Sequence, residues 1–162
     1  MPFAIFEDKA LQTYGIMKIK GKFLEDKLVM SHEQITKLIK EHGVDIVVLE
    51  DVFLGKNFTG TKSTLQTIGV LRHAAYLQNA ICFLVPASKW RKGVIKKNRR
   101  ESMKEQAVNY VNEMYDLDLE FHKSRTKTDD DIAEAIIMTE GLVWNRYTVE
   151  NVKVFKDKKV VG

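Results

Sequence analysis

The chain has 162 residues, 44% of them hydrophobic and 30% charged, which suffices for one domain with a real core but not comfortably for two. The N-terminus lacks the basic, apolar and small-residue order of a signal peptide, no apolar run nears the ~20 residues of a membrane span, and the single Cys82 excludes an internal disulfide or a cysteine metal cluster; a cytosolic protein is expected. A net charge of +4 is only mildly basic, but KWRKGVIKKNRR, from Lys89 to Arg100, carries seven basic residues and no acid, so it is either a footprint for phosphates or a solvated loop.

In chain order, AIFED and the run from Thr13 to Ile19 alternate apolar and polar positions around a turn near Asp8 and Lys9, the pattern of a hairpin. Ser31 and Gln34 form a capping pair for a helix with Ile35, Leu38 and Ile39 on one face, closed by Gly43. DIVVLE is a continuous apolar run, expected of a central strand covered on both faces, and it ends in Glu50. Ser63 and Gln66 would cap a helix through about Asn79, before the strand ICFLV stops at Pro86. Beyond the basic segment, Ser102 and Glu105 cap a further helix with Ala107, Val108, Val111, Met114 and Tyr115 on its inner stripe. This order describes an α/β domain with a mixed sheet flanked by helices. Residues 1–146 form that domain and 147–162 a C-terminal tail.

The last helix carries the chemistry. TDDDIAEAIIMTEG opens on three carboxylates and then sets Glu134 inside an apolar run, where only Glu134, Thr139 and Glu140 are polar between Ile132 and Val143. An unpartnered buried carboxylate costs several kcal/mol. Asp131 and Glu134, three apart, point to one side of the helix. Were Glu50 to converge on them, the three acids would offer the oxygen ligands that Mg²⁺ requires, and the bound ions would offset the cost of burial. The competing explanation for Glu134 is an ion pair with an arginine or lysine; for Asp129 an acidic helix start complementing the helix dipole is expected. The four histidines show no ligand spacing.

At these residues the chain resembles a family. VVLEDVFLGKNFTGTKSTLQTIGVL is similar to the second motif of RuvC-type Holliday junction resolvases of the RNase H-like fold, and TDDDIAEAIIM resembles their last motif. The likeness runs from about Phe3 to Leu142, and WRKG with the NF loop looks most like the small bacteriophage resolvases, active in a bacterial host's cytoplasm. It implies two Mg²⁺ or Mn²⁺ ions held by Glu50, Asp131 and Glu134, with Glu134 where many relatives have Asp. It implies that Lys104 stands near the scissile phosphate, although a surface lysine in a first helical turn reads the same way. Phe53 matches an aromatic that probes the opened junction, a core phenylalanine being the alternative. Lys56, Asn57, Lys89, Arg91, Lys92, Lys96, Lys97, Arg99 and Arg100 would contact branched DNA. The implied reaction is phosphodiester hydrolysis by a homodimer, whose two-fold axis matches the junction's two equivalent strands. Gly69, Ala74 and Ala75 would let one helix pack closely against a partner or in the core.

One departure matters. The family begins with a strand ending in a catalytic Asp, followed by a Thr-Gly turn and a hairpin like AIFEDKALQTYGIMKI, whereas Met1 falls where that turn should end. The first strand and its acid are therefore expected to be absent. A rival register makes PFAIFED that strand, Asp8 the fourth acid, and Thr13 to Gly15 the turn; the hairpin is preferred because both halves alternate. The alternative to an active nuclease is then a catalytically impaired, N-terminally shortened protein of the same fold that binds branched DNA.

Overall fold

The computed structural model describes residues 1–52, 58–96, 101–122, 128–147 and 153–155. In chain order the elements are β1 (Pro2–Glu7), β2 (Ala10–Ile16), α1 (Leu24–His42), β3 (Ile46–Asp51), α2 (Phe58–Leu77), β4 (Ile81–Pro86), the single turn α3 (Ala87–Trp90), α4 (Met103–Tyr115), α5 (Asp129–Val143) and β5 (Lys153–Phe155). They are distributed over two compact units, Met1–Met17 with Ala87–Thr148, and Lys18–Pro86 with Val149–Gly162.

In the first unit β1 and β2 are an antiparallel hairpin in which Phe6 faces Leu11 and Glu7 faces Ala10. Asp8 and Lys9 both have positive φ, 45° and 73°, which is the geometry of a two-residue type I′ turn. Its twist matches that of the flanking strands, and it sets the register of Glu7 and Phe6; an irregularity between Ile5 and Phe6 then shifts the pairing by one residue, so that Ile5 faces Thr13. Thr13, Tyr14 and Gly15 lie within β2, opposite Ile5, Ala4 and Phe3, so the rival register is not the one adopted.

The hairpin and α4 both pack on α5. That explains the near-continuous apolar run of α5: Ile132, Ala133, Ala135, Ile136 and Ile137 are all buried. On α4, Ser102 is the N-cap and its hydroxyl accepts the Glu105 N–H at 3.1 Å. Ala107, Val108 and Val111 are buried as expected, but Met114, in the last turn of the helix, is 51% exposed. Beyond α5 the Tyr147 ring folds back against Gly141. A Cβ at Gly141 would stand 2.4 Å from a ring carbon, and the Tyr147 hydroxyl donates to the Met138 carbonyl. Gly141→Ala is therefore expected to lower stability by about 1–3 kcal/mol through overpacking. Chemical denaturation reads this directly, and a midpoint equal to the parent's would show that Tyr147 can step aside.

In the second unit the sheet order is β3-β4-β5, with β3 parallel and β5 antiparallel to β4. The sheet is mixed, as the sequence implies, but its covered centre is β4, whose Cys82, Phe83, Leu84 and Val85 are all buried. β3 pairs with β4 alone among the described strands; Ile46 is exposed and only Val47 is fully buried. Its apolar run is thus covered in part: Val48 and Leu49 are half-buried. Burial raises the Cys82 thiol pKa to about 11, which keeps it protonated and inert near neutrality. β5 falls in the stretch expected to be a tail.

Both helices of this unit begin earlier than their capping pairs imply. α1 starts at Leu24, where the Asp26 carboxylate accepts the Phe23 N–H at 3.1 Å. Ser31 lies instead in the buried stripe of α1, and its hydroxyl donates to the Lys27 carbonyl at 2.8 Å. The end is as expected: Gly43 is left-handed (φ 59°) and its N–H closes on the Ile39 carbonyl. α2 starts at Phe58, with Ser63 inside it and the Ser63 carbonyl accepting the Thr67 hydroxyl. Ala74 and Ala75 are buried within the unit, whereas Gly69 faces open space.

Candidate active site

The acidic start of α5 is arranged one residue at a time. Asp129 accepts the Glu120 N–H at 3.0 Å, so it pins the preceding segment to the helix as well as complementing the dipole. Asp130 is buried, 8% exposed, and its carboxylate meets the Lys104 ammonium at 2.5 Å. Asp131, with its side chain 43% exposed, takes the same ammonium at 2.9 Å. Lys104 projects from the first turn of α4, and the Ser102 cap fixes where that turn begins. The hydrogen bond to Asp130, reinforced by Asp131 and opposed by partial burial, holds the Lys104 pKa above its ordinary value, so the ammonium is charged throughout the neutral range.

Glu134, one turn on, is met at 3.1 Å by Arg91 from the start of the basic segment. This is the ion pair set against a metal ligand in the sequence, and it supplies the partner a buried carboxylate needs. The guanidinium also stacks 4.6 Å from the ring centre of Trp90, which is itself 2% exposed. Arg91 is thus held on two sides by its own unit, whereas Lys92 and Lys96 are exposed and Lys89 is half-buried. The backbone at Lys96 is clamped to α4 by the Gln106 side chain, which accepts its N–H and donates to its carbonyl, both at 2.9 Å. Lys97, Arg99 and Arg100, like Phe53, Lys56 and Asn57 of the NF loop, lie outside the described residues.

Glu50 stands in the second unit, exposed near the C-terminal end of β3 as its sequence position implies. Asp8 occupies the exposed hairpin turn of the first unit. Among the described residues of that unit, no group of three or more Asp, Glu, His and Cys side chains is spaced to hold a metal ion; Asp131 and Glu134 are the pair α5 supplies. Both are carboxylates, the oxygen donors that a hard divalent ion takes, and each here faces a cationic nitrogen.

Two features escape a reading centred on motifs. Asp130 is the most buried of the three leading acids, and Glu140, 1% exposed, is the most buried acid of α5. Glu140 pairs with Arg146 and accepts the Tyr110 hydroxyl at 3.0 Å. The signal for both was present in the spacing: Asp130, Ala133, Ile137, Glu140 and Gly141 recur on one helical face, and all are buried.

The family model Crossover junction endodeoxyribonuclease RuvC matches residues 5–139. No curated protein matches the chain significantly. Among solved structures, T. thermophilus RuvC in complex with Holliday junction substrate is similar with a TM-score of 0.62 at 10% identity, covering 90% of this chain and 84% of that one. The Thermus thermophilus RuvC structure has a TM-score of 0.60 at 11% identity, covering 95% and 89%. At such identity the structures speak for a shared RNase H-like fold alone, while the family match extends over most of the sequence, from the first hairpin strand to the acidic helix. On that match the chain belongs to the RuvC family of crossover junction endodeoxyribonucleases.

Proposed function

We propose that this protein is a structure-selective DNA endonuclease that cleaves Holliday junctions and other branched DNA by metal-dependent phosphodiester hydrolysis. The observation that carries the reading is the pair Asp131 and Glu134 on α5, with Lys104 beside Asp131, inside a chain of the RuvC family. Asp131 and Glu134 would be ligands of two Mg²⁺ or Mn²⁺ ions, the role that the family resemblance also gives Glu50. When bound, such ions activate a water and stabilise the leaving 3′ oxygen, without a covalent enzyme intermediate. Lys104 offers an ammonium to the scissile phosphate, and the exposed Lys92 and Lys96 offer charge to the DNA backbone. A homodimer would present two sites to the two equivalent strands of a junction. The groove between α1 and α2, lined by Leu28, Val29, His32, Gly69, Val70 and His73, offers an apolar surface for a second copy, as expected of a small phage-type resolvase working in a bacterial cytoplasm.

The test is nicking of a synthetic four-way junction in Mg²⁺ and in Mn²⁺, beside linear duplex and an RNA–DNA hybrid. Metal-dependent cleavage confined to the branched substrate is expected; equal cleavage of the linear duplex would sink the structural selectivity. The cation pairing of both α5 acids favours a second reading, a catalytically impaired protein that binds branched DNA without cutting it. Tight junction binding with no nicking in either metal would establish that one.

Binding should report the basic segment separately. Each neutralised phosphate releases about one counterion, so junction affinity should fall steeply with salt. Replacing Lys92, Lys96 and Lys97 with Gln is expected to lower the log-log salt slope by roughly one per contact removed. An unchanged slope would make this segment a solvated face.

A further inference from the structure

We propose that Asp130 is a positioning residue for Lys104: its carboxylate anchors the ammonium, so that Lys104 stays beside Asp131 while its second contact is exchanged for a phosphate oxygen of the DNA. The inference rests on the nuclease reading for its catalytic consequence. Its geometry stands independently.

The two carboxylates that share Lys104 differ in kind. The Asp130 side chain is 12% exposed and 2.5 Å from the ammonium, while that of Asp131 is 43% exposed and 2.9 Å away. A partner excluded from water is screened less and exchanged less readily than one that water reaches. Asp130 is therefore the fixed hand and Asp131 the exchangeable one. Lys104 itself remains 47% exposed, so the face of its ammonium turned from Asp130 is open to a ligand from solvent. An ammonium has three donors; two are used here, and giving up Asp131 leaves two for an anion while Asp130 keeps the third. Asp130 is held in turn by the helix, since its position lies on the same buried face of α5 as Ala133 and Ile137. Without it, a flexible four-carbon side chain at the first turn of α4 would sample many rotamers, and a misplaced group loses much of its effect on a reaction.

The experiment compares Asp130→Asn, Asp131→Asn and Lys104→Gln in the full chain. The first readout is independent of activity: the ¹⁵N–¹H signal of the Lys104 side-chain ammonium, visible by NMR only when hydrogen bonding slows its exchange with water. Asp131→Asn should retain that signal and Asp130→Asn should lose it. The second readout is junction cleavage. Asp130→Asn should lower kcat by about 10-fold to 100-fold, the range for residues that orient an active-site group, with junction Kd unchanged. Combined with Lys104→Gln it should add no further loss, because both act through one ammonium. Retention of the signal in Asp130→Asn, or losses that multiply in the double variant, would overturn the anchor. A parent that shows the signal but nicks no junction would overturn the nuclease reading and this catalytic role, leaving a purely structural anchor.

Discussion

Glu134→Gln and Asp131→Asn are each expected to lower Mg²⁺-dependent junction cleavage by at least about 100-fold, the upper end of what disturbing a residue that merely supports a metal ligand costs. Both substitutions keep the size of the side chain and remove the charge that would hold the ion. Junction binding without metal should survive them, because neutralising a carboxylate removes its repulsion of the phosphates. Stability should separate the two. With its side chain 19% exposed and its Arg91 partner 29% exposed, Glu134 is in a pair largely withdrawn from water. Glu134→Gln should therefore lower the stability of the metal-free protein by about 1–3 kcal/mol, the range for hydrogen bonds to charged groups. An unpartnered carboxylate would have behaved in the opposite way, gaining stability on neutralisation. Unfolding measured with and without Mg²⁺, beside a nicking assay, reads both quantities. If Glu134→Gln cuts like the parent and is merely less stable, Glu134 is a structural ion pair and the metal assignment fails.

Glu140→Gln should have the largest effect on the fold, a loss of about 3–5 kcal/mol, as expected when one partner of a buried pair is neutralised. The Arg146 guanidinium also donates to the Tyr110 hydroxyl and the Ile137 carbonyl, both at 3.2 Å, so it would keep two partners and lose the one that carries charge. For a chain of this length that is roughly 6–20 °C in Tm. Replacing Glu140 and Arg146 together by methionine should recover much of the loss, since a well-packed apolar pair often does as well as a buried ionic one. Calorimetry on both variants is the check, and a double variant as unstable as Glu140→Gln would mean that the network with Tyr110, rather than the ion pair, sustains this end of α5.

The same contrast separates what periodicity conveys from what it conceals. Helix α5 was legible as a doubly covered helix because Ile132, Ala133, Ile136 and Ile137 leave no polar face between them. Whether its acids bind a metal, a cation or water was not, because an arginine 43 positions away in the chain leaves no trace in the local pattern. The strand DIVVLE shows the limit from the other side: a run of apolar residues reports low polarity, and the pairing partners on each side decide whether it lies at the centre or the edge of its sheet.

By itself the sequence favoured the hairpin over the rival register, since both sides of Asp8 and Lys9 alternate, although the shift between Ile5 and Phe6 was not legible in it, and it determined the α4 cap, which Ser102 and Glu105 form within four residues. It also placed Glu50 at the end of a strand and Asp131 and Glu134 on one side of a helix, because strand and helix geometry carry side chains to known faces. Only the tertiary structure decided that Arg91 meets Glu134, that Asp130 and Asp131 share Lys104, and that Glu140 rather than Glu134 is the deeply buried acid. These are choices of partner across the chain, made where desolvation penalises every unpaired charge, and they depend on which helices the core brings side by side.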